Sequence, residues 1–490
     1  MPANFLHGIE TIDITDGPRT VRVVKTAIIG LVGTAPIWQA APDSGELIET
    51  PRLCLSDVDD AKRFGGETLG FTIPTALRQI REQGRGAVIV VNVFDPARHK
   101  VAVAAASYTL PTTGAATGQV TVPHRGAAGL IVTSSDGLTT YSPATDYTHT
   151  PATGVIARRT TGTIPPGATL RISYDRPAPE LVTAGDVIGT VDPLTGRRTG
   201  LQAFLGCHAI FGFGPMLLVA PNFGTLDTVA GAMDTIGQRL RAFSVTAAPV
   251  GTTVEQALSG RGPAGVINFA TSNRRRVLPH MFHRRLGSSG TIDLVDPAPA
   301  WAGLCAENDI ARGYWVSPSN IEVKGIVGLE MPISASLNDP NSEANLLNEA
   351  GIVTWFQSFG TGIRVWGNRS AAWPSDSHPT CFIAIQRTFD VIAMSVEQSL
   401  LPFLDRPLTP AIIDDVLHTV NSFVRKLISD GALIDGRYSF DAERNPTDQL
   451  AMGHLTLTAD LTPPAPLERL TIEQRYDANG LKALYTALAA

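Results

Sequence analysis

Two apolar runs rich in β-branched residues, with helical patterns between them, most restrict how this chain can fold. The first, Thr26–Ala35, is almost continuously apolar and ends in glycine and proline signals, as expected for a strand buried on both faces. The second, Ala87–Phe94, reads AVIVVNVF, a composition typical of a central strand. A cap-like Ser56 and an apolar face beginning at Ile73 predict two helices between the runs. This alternation predicts a largely parallel sheet with helices on its faces.

The same alternation resumes after a long interruption. Residues 101–195 are rich in Thr, Ser, Gly and Pro and contain short alternating runs such as GLIVTSSDG, which predict antiparallel strands. We therefore expect a β domain inserted at a surface loop of one α/β core. The core elements predicted beyond it are strands at Met216–Ala220, Phe243–Ala247 and Val266–Ala270, a helix at Leu226–Leu240 and another after Thr252.

A helix followed by two strands is predicted near the C-terminus. Thr409 as N-cap, Pro410 at the first helical position and Gly431 beyond the end bound one amphipathic helix. The period of the pattern then falls to two in His454–Leu461 and again in Glu468–Tyr476. These two strands would flank the proline-rich turn TPPAP.

Both ends of the chain have the pattern of strands that lack a partner. An isolated two-stranded hairpin is marginally stable in water, and an unpaired edge exposes backbone donors and acceptors. We expect strand addition between subunits to complete both ends, and head-to-tail contacts of this kind build rings or helical tubes. The residues expected to form these subunit-interface arms are Val21, Arg22, Val23, Leu455, Leu457, Leu470 and Ile472.

Composition excludes several classes of protein. A chain of 490 residues with 17% charged residues and many glycines and prolines indicates a globular protein of two to four domains. Its formal net charge of -6 argues against a general nucleic-acid binder, which needs a basic surplus. The four cysteines are far apart and form no CxxC pair, so we expect reduced, mostly buried thiols. No signal peptide or membrane span is expected.

Four segments carry a resemblance to a known family. They are Phe5–Pro36, PMLLVAPNF at Pro215–Phe223, TGIRVWGNRS at Thr361–Ser370, and the helix and strands that follow. They resemble the tail sheath proteins of contractile-tailed bacteriophages in the N-terminal arm, the central strand and loop, and the C-terminal half. The resemblance implies stacked hexameric rings around a tail tube, joined by woven arms, that contract without nucleotide to drive the tube through the host envelope.

The same resemblance implies the partners and the location. The partners would be the chain itself, the tail tube protein, and the baseplate and tail terminator proteins, with no direct contact to nucleic acid. The protein would be assembled in the host cytoplasm and reside in the virion. The sheath of a headless contractile bacteriocin is an alternative within the same structural class, and a subtilisin-like hydrolase is a less favoured one.

The family core is described as subtilisin-like, so catalytic and metal-binding patterns matter. The sequence holds no GxSxG, GxxxxGK[ST], HExxH or EF-hand pattern, and Gly287–Gly290 has the wrong spacing for a nucleophile elbow. His280 and His283 are three residues apart but lack a third ligand nearby. Gly212–Gly214 lacks the third glycine of a dinucleotide fingerprint and indicates a turn. We expect no catalytic residue, cofactor or metal.

Charge is concentrated in one segment, NRRRVLPHMFHRRLG. It would form either a cationic patch that pairs with acidic residues of a neighbouring subunit or the tube, or a merely solvated cluster. In the sheath-like motif, Arg364 and Arg369 are candidate interfacial anchors, and Trp366 is expected in the core. The residues of the possible charged interface are Arg274, Arg275, Arg276, Arg284 and Arg285.

These observations divide the chain into an α/β core with an inserted antiparallel β domain, a C-terminal α+β domain and extended arms at both ends. The expected boundaries are an N-terminal arm at 1–25, the core at 26–100 and 196–370, the inserted domain at 101–195, the C-terminal domain at 371–452, and the C-terminal strands and arm at 453–490.

Overall fold

The first part of the chain folds in the predicted order. The computed structural model describes residues 21–262, 264–288, 290–336, 338–357, 360 and 362–482. The Ser56 hydroxyl accepts a hydrogen bond from the backbone N–H of Asp59 and so caps the first helix, as its sequence predicts. The elements are β1 (Ile28–Gly33), β2 (Arg52–Cys54), α1 (Asp57–Phe64), α2 (Ile73–Gln83) and β3 (Ala87–Asn92).

The antiparallel insertion spans residues 100–177 and has its own core. Its strands are β4 (Lys100–Thr109), β5 (Gln119–Thr121), β6 (Ala128–Ser134), β7 (Thr140–Tyr141), β8 (Tyr147–Thr150), β9 (Val155–Arg158) and β10 (Thr169–Pro177). They form one sheet of order β4-β10-β6-β7 and one of order β5-β9-β8. Val132, Ile156 and Leu170 are fully buried among its own residues. Val182 and Val187, which were expected in the insertion, pack instead into the α/β core.

The core resumes beyond the insertion, with one strand displaced from its predicted position. Val266–Ala270 is not a strand, because the Asn268 amide donates hydrogen bonds to the carbonyls of Gly224 and Ala247 and holds this segment as a loop. The outermost strand is β13, which lies within the basic segment. The elements are α3 (Ala184–Ile188), α4 (Cys207–Phe211), β11 (Leu217–Val219), α5 (Asp227–Leu240), β12 (Phe243–Val245), α6 (Val254–Gly260) and β13 (Arg276–Val277).

These strands form one six-stranded sheet of order β13-β12-β11-β1-β3-β2. Every neighbouring pair is parallel except β2 and β3. Apolar clusters cover both faces, one around Trp301 and Ile80 and the other around Phe204 and Met233. The α/β class is confirmed, because helices bury both faces of a mainly parallel sheet.

The segment after β13 adds short strands and two helices against this core. The predicted core position of Trp366 is only partly met, because its ring is half-buried and packs edge-on against Phe356 at 5.1 Å between ring centroids. The elements are β14 (His283–Leu286), β15 (Ile292–Val295), α7 (Ala298–Ala311), β16 (Gly328–Leu329), α8 (Glu343–Glu349), β17 (Thr354–Gln357) and β18 (Ile363–Trp366).

The C-terminal part contains α9 (Ile383–Leu400), α10 (Pro410–Ser429), β19 (Asp435–Phe440), α11 (Thr447–Ala451) and β20 (Leu457–Thr462). The predicted helix from Thr409 is confirmed by α10, whose N-cap is Thr409. The predicted hairpin across TPPAP is wrong, because β20 pairs antiparallel with β19 and residues 463–477 contain no strand. Pro463, Pro464 and Pro466 lack the backbone N–H groups that a continuing ladder needs.

This pairing shortens the C-terminal arm at its start. Leu457 lies within β20 and Leu455 lies two residues before its start, so both belong to the C-terminal domain and not to an arm. Leu461 of β20 also packs against the apolar cluster of α9 and α10. We therefore define the C-terminal arm as residues 463–477.

The first described residues at the N-terminus lie against the C-terminal helices. Residues 1–20 lie outside the described part of the chain, and residues 21–27 contain no strand. Val21 is only 8% exposed and packs against Ile392 and Phe423, and the backbone N–H of Val24 donates to the Ser395 hydroxyl at 3.1 Å. Residues 21–27 thus form no strand within the subunit, where Val21 joins the apolar cluster of α9 and α10, and the pairing of Val21–Val23 with a neighbouring copy stays a prediction.

Candidate assembly site

The basic segment is not a cationic surface. The Arg276 side chain is buried, where its Nε donates to the Thr246 hydroxyl at 2.8 Å and its Nη2 to the Asn268 carbonyl at 2.6 Å. Arg285 is also buried and pairs with Glu67 at 2.6 Å and Glu82 at 2.8 Å. A buried guanidinium requires such partners, so these two arginines organise the interior of the subunit.

Two further ion pairs join the C-terminal helices to the core. Arg275 of the basic segment forms a bidentate pair with Asp390 of α9, with Nε to Oδ2 at 2.8 Å. Arg387 of α9 forms a bidentate pair with Asp309 of α7, and both side chains are almost completely buried. Bidentate arginine–carboxylate geometry is the strongest form of this interaction in proteins. The pairs fix α9 against the parallel sheet and α7.

Two of the five arginines, Arg274 and Arg284, are exposed, and Arg275 is partly exposed. Arg274 pairs with Asp376, and Arg284 donates to the Glu330 carbonyl at 3.1 Å. The expectation of a five-arginine patch that faces a neighbour is therefore wrong in this form, because Arg276 and Arg285 are buried and Arg275 pairs with Asp390 of the same chain. The alternative of a merely solvated cluster is wrong for the same reason.

The candidate catalytic and metal-binding groups are not assembled into a site. His283 is completely buried beside Trp355, 4.4 Å between ring centroids, and both of its ring nitrogens lack hydrogen-bond partners among the described residues. Burial lowers the pKa of His283 to about 3 and that of His280 to about 4. Ser288 lies in a turn, and Ser289 lies outside the described residues.

Metal-binding clusters and membrane-spanning helices are both absent from the described part of the chain. Among residues 21–482, apart from the gaps given above, no group of three His, Cys, Asp or Glu side chains could hold a metal ion. No helix in that same part is long and apolar enough to cross a membrane. The four cysteines are free and buried, and burial raises the pKa of the Cys54, Cys207 and Cys305 thiols to about 12.

The two-stranded sheet β19–β20 has one blocked edge and one open edge. On the outer side of β19, the Asn421 side chain of α10 donates to the Tyr438 carbonyl at 2.9 Å and accepts from the Tyr438 N–H at 2.8 Å. The sheet contains no further strand from the described residues, so the outer edge of β20 is unpaired within them. That edge presents backbone donors and acceptors to another strand.

The C-terminal arm has the complementary character. Its apolar residues Leu470 and Ile472 are 71% and 73% exposed, and Tyr476 is 82% exposed. They alternate with polar residues, so an extended arm would place Leu470 and Ile472 on one face. None of the described residues covers this alternating face.

The arm is attached to its own subunit at one charged residue. Glu468 forms a bidentate pair with Arg369, with Nε to Oε1 at 2.8 Å and Nη2 to Oε2 at 2.6 Å. The Arg369 guanidinium lies over the rings of Trp373 and Phe382, 3.9 Å and 4.3 Å from their centroids. The sequence singled out Arg369 but not Glu468, and no local pattern could join two residues 99 positions apart.

Comparisons with known proteins agree with these features. The phage tail sheath protein central domain matches residues 196–371, and the phage tail sheath C-terminal domain matches residues 375–476. The tail sheath protein of Burkholderia phage BcepMu is 44% identical over 486 residues, 99% of each chain. The tail sheath protein of Escherichia phage P2 is 26% identical over 486 residues, again 99% of each chain.

Solved structures share the fold at low sequence identity. The anti-feeding prophage helical sheath in its contracted state has a TM-score of 0.59 at 14% identity, covering 97% of this chain and 100% of that chain. The PVC sheath complex of an extracellular contractile injection system, also contracted, has a TM-score of 0.58 at 12% identity, covering 98% and 100%. With a full-length relative at 44% identity, the chain belongs to the phage tail sheath family.

Proposed function

We propose that this chain is the structural subunit of a contractile tail sheath and polymerises by exchanging its C-terminal arm with a neighbouring copy. One observation carries the proposal: the same chain has an open strand edge at β20 and, elsewhere, an exposed arm of alternating apolar and polar residues. Each copy thus offers one edge and one strand. The arm of one copy would add to the β20 edge of a second copy, whose own arm would add to a third. Contacts of this head-to-tail kind continue from one subunit to the next.

The energetics favour exchange between copies. A strand added to β20 would form several backbone hydrogen bonds, each worth about 0.5–1.5 kcal/mol. It would also remove Leu470 and Ile472 from water, at about 1.5–3 kcal/mol for each fully buried side chain. A three-stranded sheet packed on a helix is far more stable than an isolated hairpin. Most of the favourable free energy that orders the arm is therefore available only in the polymer.

The assembled form follows from the family. Hexameric rings would stack helically around the tail tube, and the baseplate and tail terminator would bound the stack. The shortening of this sheath would drive the tube through the host envelope, and the energy would come from repacked interfaces. The protein would act in the virion after assembly in the host cytoplasm, as a structural protein without catalytic residues, cofactor or metal.

The proposed organisation has four parts. Residues 26–100 and 178–370 form the α/β core, and residues 101–177 form an accessory β domain on it. Residues 371–462 form the C-terminal domain that holds the receiving edge of β20. The N-terminal arm, expected at 1–25, and the arm at 463–477 would join copies, and Arg274 and Arg284 are the remaining candidates for charged contacts between them.

The full-length relatives favour a phage tail over a headless bacteriocin. Two tail sheath proteins of phages match 99% of this chain. The contracted sheaths of the anti-feeding prophage and the PVC system share only the fold, at 14% and 12% identity. Capsid and terminase genes beside the gene for this chain would be found if the sheath belongs to a phage.

A matched pair of deletions tests the proposal. Removal of residues 463–490 leaves β20 and its pairing with β19 intact, so we expect a folded monomer that forms no tubes by electron microscopy. Removal of residues 483–490 alone keeps the arm, and we expect tubes like those of the full chain. Circular dichroism checks the fold of both. Ordered tubes from the longer deletion would contradict arm exchange.

A further inference from the structure

We propose that Arg369 is a positioning residue that clamps Glu468 and thereby sets the point at which the C-terminal arm leaves its own subunit. The inference rests on the arm exchange proposed above. It assigns a task to the second arginine of the RVWGNRS segment, whose first arginine, Arg364, binds the Asn320 carbonyl. The clamp acts on the arm within one copy, before any neighbour is engaged.

The site is built before Glu468 arrives. The Arg369 side chain is only 16% exposed, and its backbone bridges to Phe382. The guanidinium carbon lies 3.9 Å from the Trp373 ring centroid and 4.3 Å from that of Phe382, and these cation–π contacts restrict the side chain. Nε and Nη2 of Arg369 both donate to the Glu468 carboxylate at normal hydrogen-bond lengths.

This preorganisation separates the pair from an ordinary surface salt bridge. Exposed pairs contribute little, because both long side chains lose freedom when they meet. The aromatic rings already restrict Arg369, and so much of that loss does not recur when Glu468 binds. A lysine in the same place could neither stack on the rings as a plane nor bind both carboxylate oxygens.

The clamp lies where the arm changes from half-buried to exposed. Pro463, Pro464 and Pro466 are half-buried against the subunit, whereas Leu467 is 80% exposed and every residue from 467 to 480 is exposed. Glu468 therefore lies at the boundary between the part of the arm that follows the subunit and the part that leaves it. Leu470 and Ile472 come directly after the clamp.

The clamp therefore determines how far the arm reaches. At about 3.3 Å per extended residue, residues 469–477 span about 30 Å, whereas residues 463–477 span about 50 Å. A shorter tether confines the arm to fewer neighbouring edges and raises the effective concentration of its end at the correct one, by about twofold for this change in length. Selection of one neighbour is what a regular helical lattice requires.

Limited trypsin digestion of the unassembled protein tests the clamp without altering the arm. Trypsin cleaves after Arg469, next to the clamp, and after Arg475, beyond it. In Arg369→Gln we expect cleavage at Arg469 to accelerate about fivefold, the effect of a coupling near 1 kcal/mol, while cleavage at Arg475 is unchanged. An unchanged ratio of the two cleavage rates would overturn the proposal. Arg369→Lys should resemble Arg369→Gln.

Assembly provides the second measurement. Glu468→Gln should raise the critical concentration for tube formation about twofold or more, and the double variant with Arg369→Gln should add nothing further. Glu473→Gln is the matched control, because that exposed carboxylate makes no ion pair with the described residues. Equal effects at 468 and 473 would refute the clamp. If the arm deletion still forms tubes, the proposed function fails, and the trypsin ratio still decides the clamp.

Discussion

The apolar face of the arm gives a prediction that one substitution can decide. Ile472 is 73% exposed in the subunit, so it contributes almost nothing to the fold of the monomer. Thr471 precedes it and would point to the opposite face of an extended strand. We expect Ile472→Asp to weaken tube formation strongly and Thr471→Asp, which adds the same charge, to weaken it much less.

The magnitude follows from the exposed area. Full burial of an isoleucine side chain is worth about 1.5–3 kcal/mol, and roughly three quarters of that remains to be gained here, about 1–2 kcal/mol. An aspartate on the buried face adds a desolvation cost of at least about 1 kcal/mol. A loss of about 2–3 kcal/mol per contact raises the critical concentration roughly 30-fold to 150-fold.

Sedimentation of polymer against total protein concentration measures this change directly. Circular dichroism and size-exclusion chromatography check that each variant remains a folded monomer below its critical concentration. Three results would refute the reasoning: no shift for Ile472→Asp, equal shifts for both variants, or loss of secondary structure in the Ile472 variant. The last would mean that Ile472 stabilises the subunit and not the interface.

Three further predictions concern the subunit itself. Asp309→Asn leaves the buried Arg387 without its carboxylate and should lower the free energy of unfolding by about 3–5 kcal/mol in chemical denaturation. Burial lowers the pKa of His283 to about 3 in the folded protein, below its ordinary value of 6.5. The unfolded chain therefore binds the proton first, and the stability present above pH 6.5 is lost on acidification. We expect His283→Phe to recover about 2–3 kcal/mol at pH 4.5. Deletion of residues 101–176, with a short Gly/Ser linker, should leave a soluble core, because Lys100 and Pro177 are paired neighbours.

Each of these has a control on the same chain. Lys426→Met breaks the exposed pair with Asp430 and should change the free energy of unfolding by less than about 1 kcal/mol. His418→Phe removes an exposed histidine and is the matched control for the His283 substitution. For the deletion, an insoluble product or loss of the far-ultraviolet dichroism of the core would show that the boundary is misplaced.

The parallel sheet was predictable because its signals are local. A strand buried on both faces is apolar along its length, and a capped helix carries its own boundaries, as in β3 and α10. The wrong strand at Val266–Ala270 had the right composition, but a buried amide, Asn268, ties that segment to two distant carbonyls. Composition alone cannot reveal such a tie.

The prediction for the arginine segment was wrong for a similar reason. Runs of arginine look solvated because their partners are absent from the neighbouring sequence. Here Arg285 meets Glu67 and Glu82 of the α2 region, and Arg275 meets Asp390, so the separations are 218, 203 and 115 positions. The pairing of Arg369 with Glu468 escaped for the same reason. Long-range charge pairing depends on the fold and cannot be taken from charge spacing.

The buried ion pairs also restrict where the subunit can deform during contraction. Opening the seam between α9 and the core would separate Arg387 from Asp309 in a dry interior, at a cost of about 3–5 kcal/mol. The arm beyond Glu468 has no such contact, since its residues are exposed up to position 480. We therefore expect strain to concentrate in the arms and at the contacts between copies. A sheath of such subunits would change shape by moving whole bodies, and the proposed exchanged arms would have to remain joined while those bodies rotate.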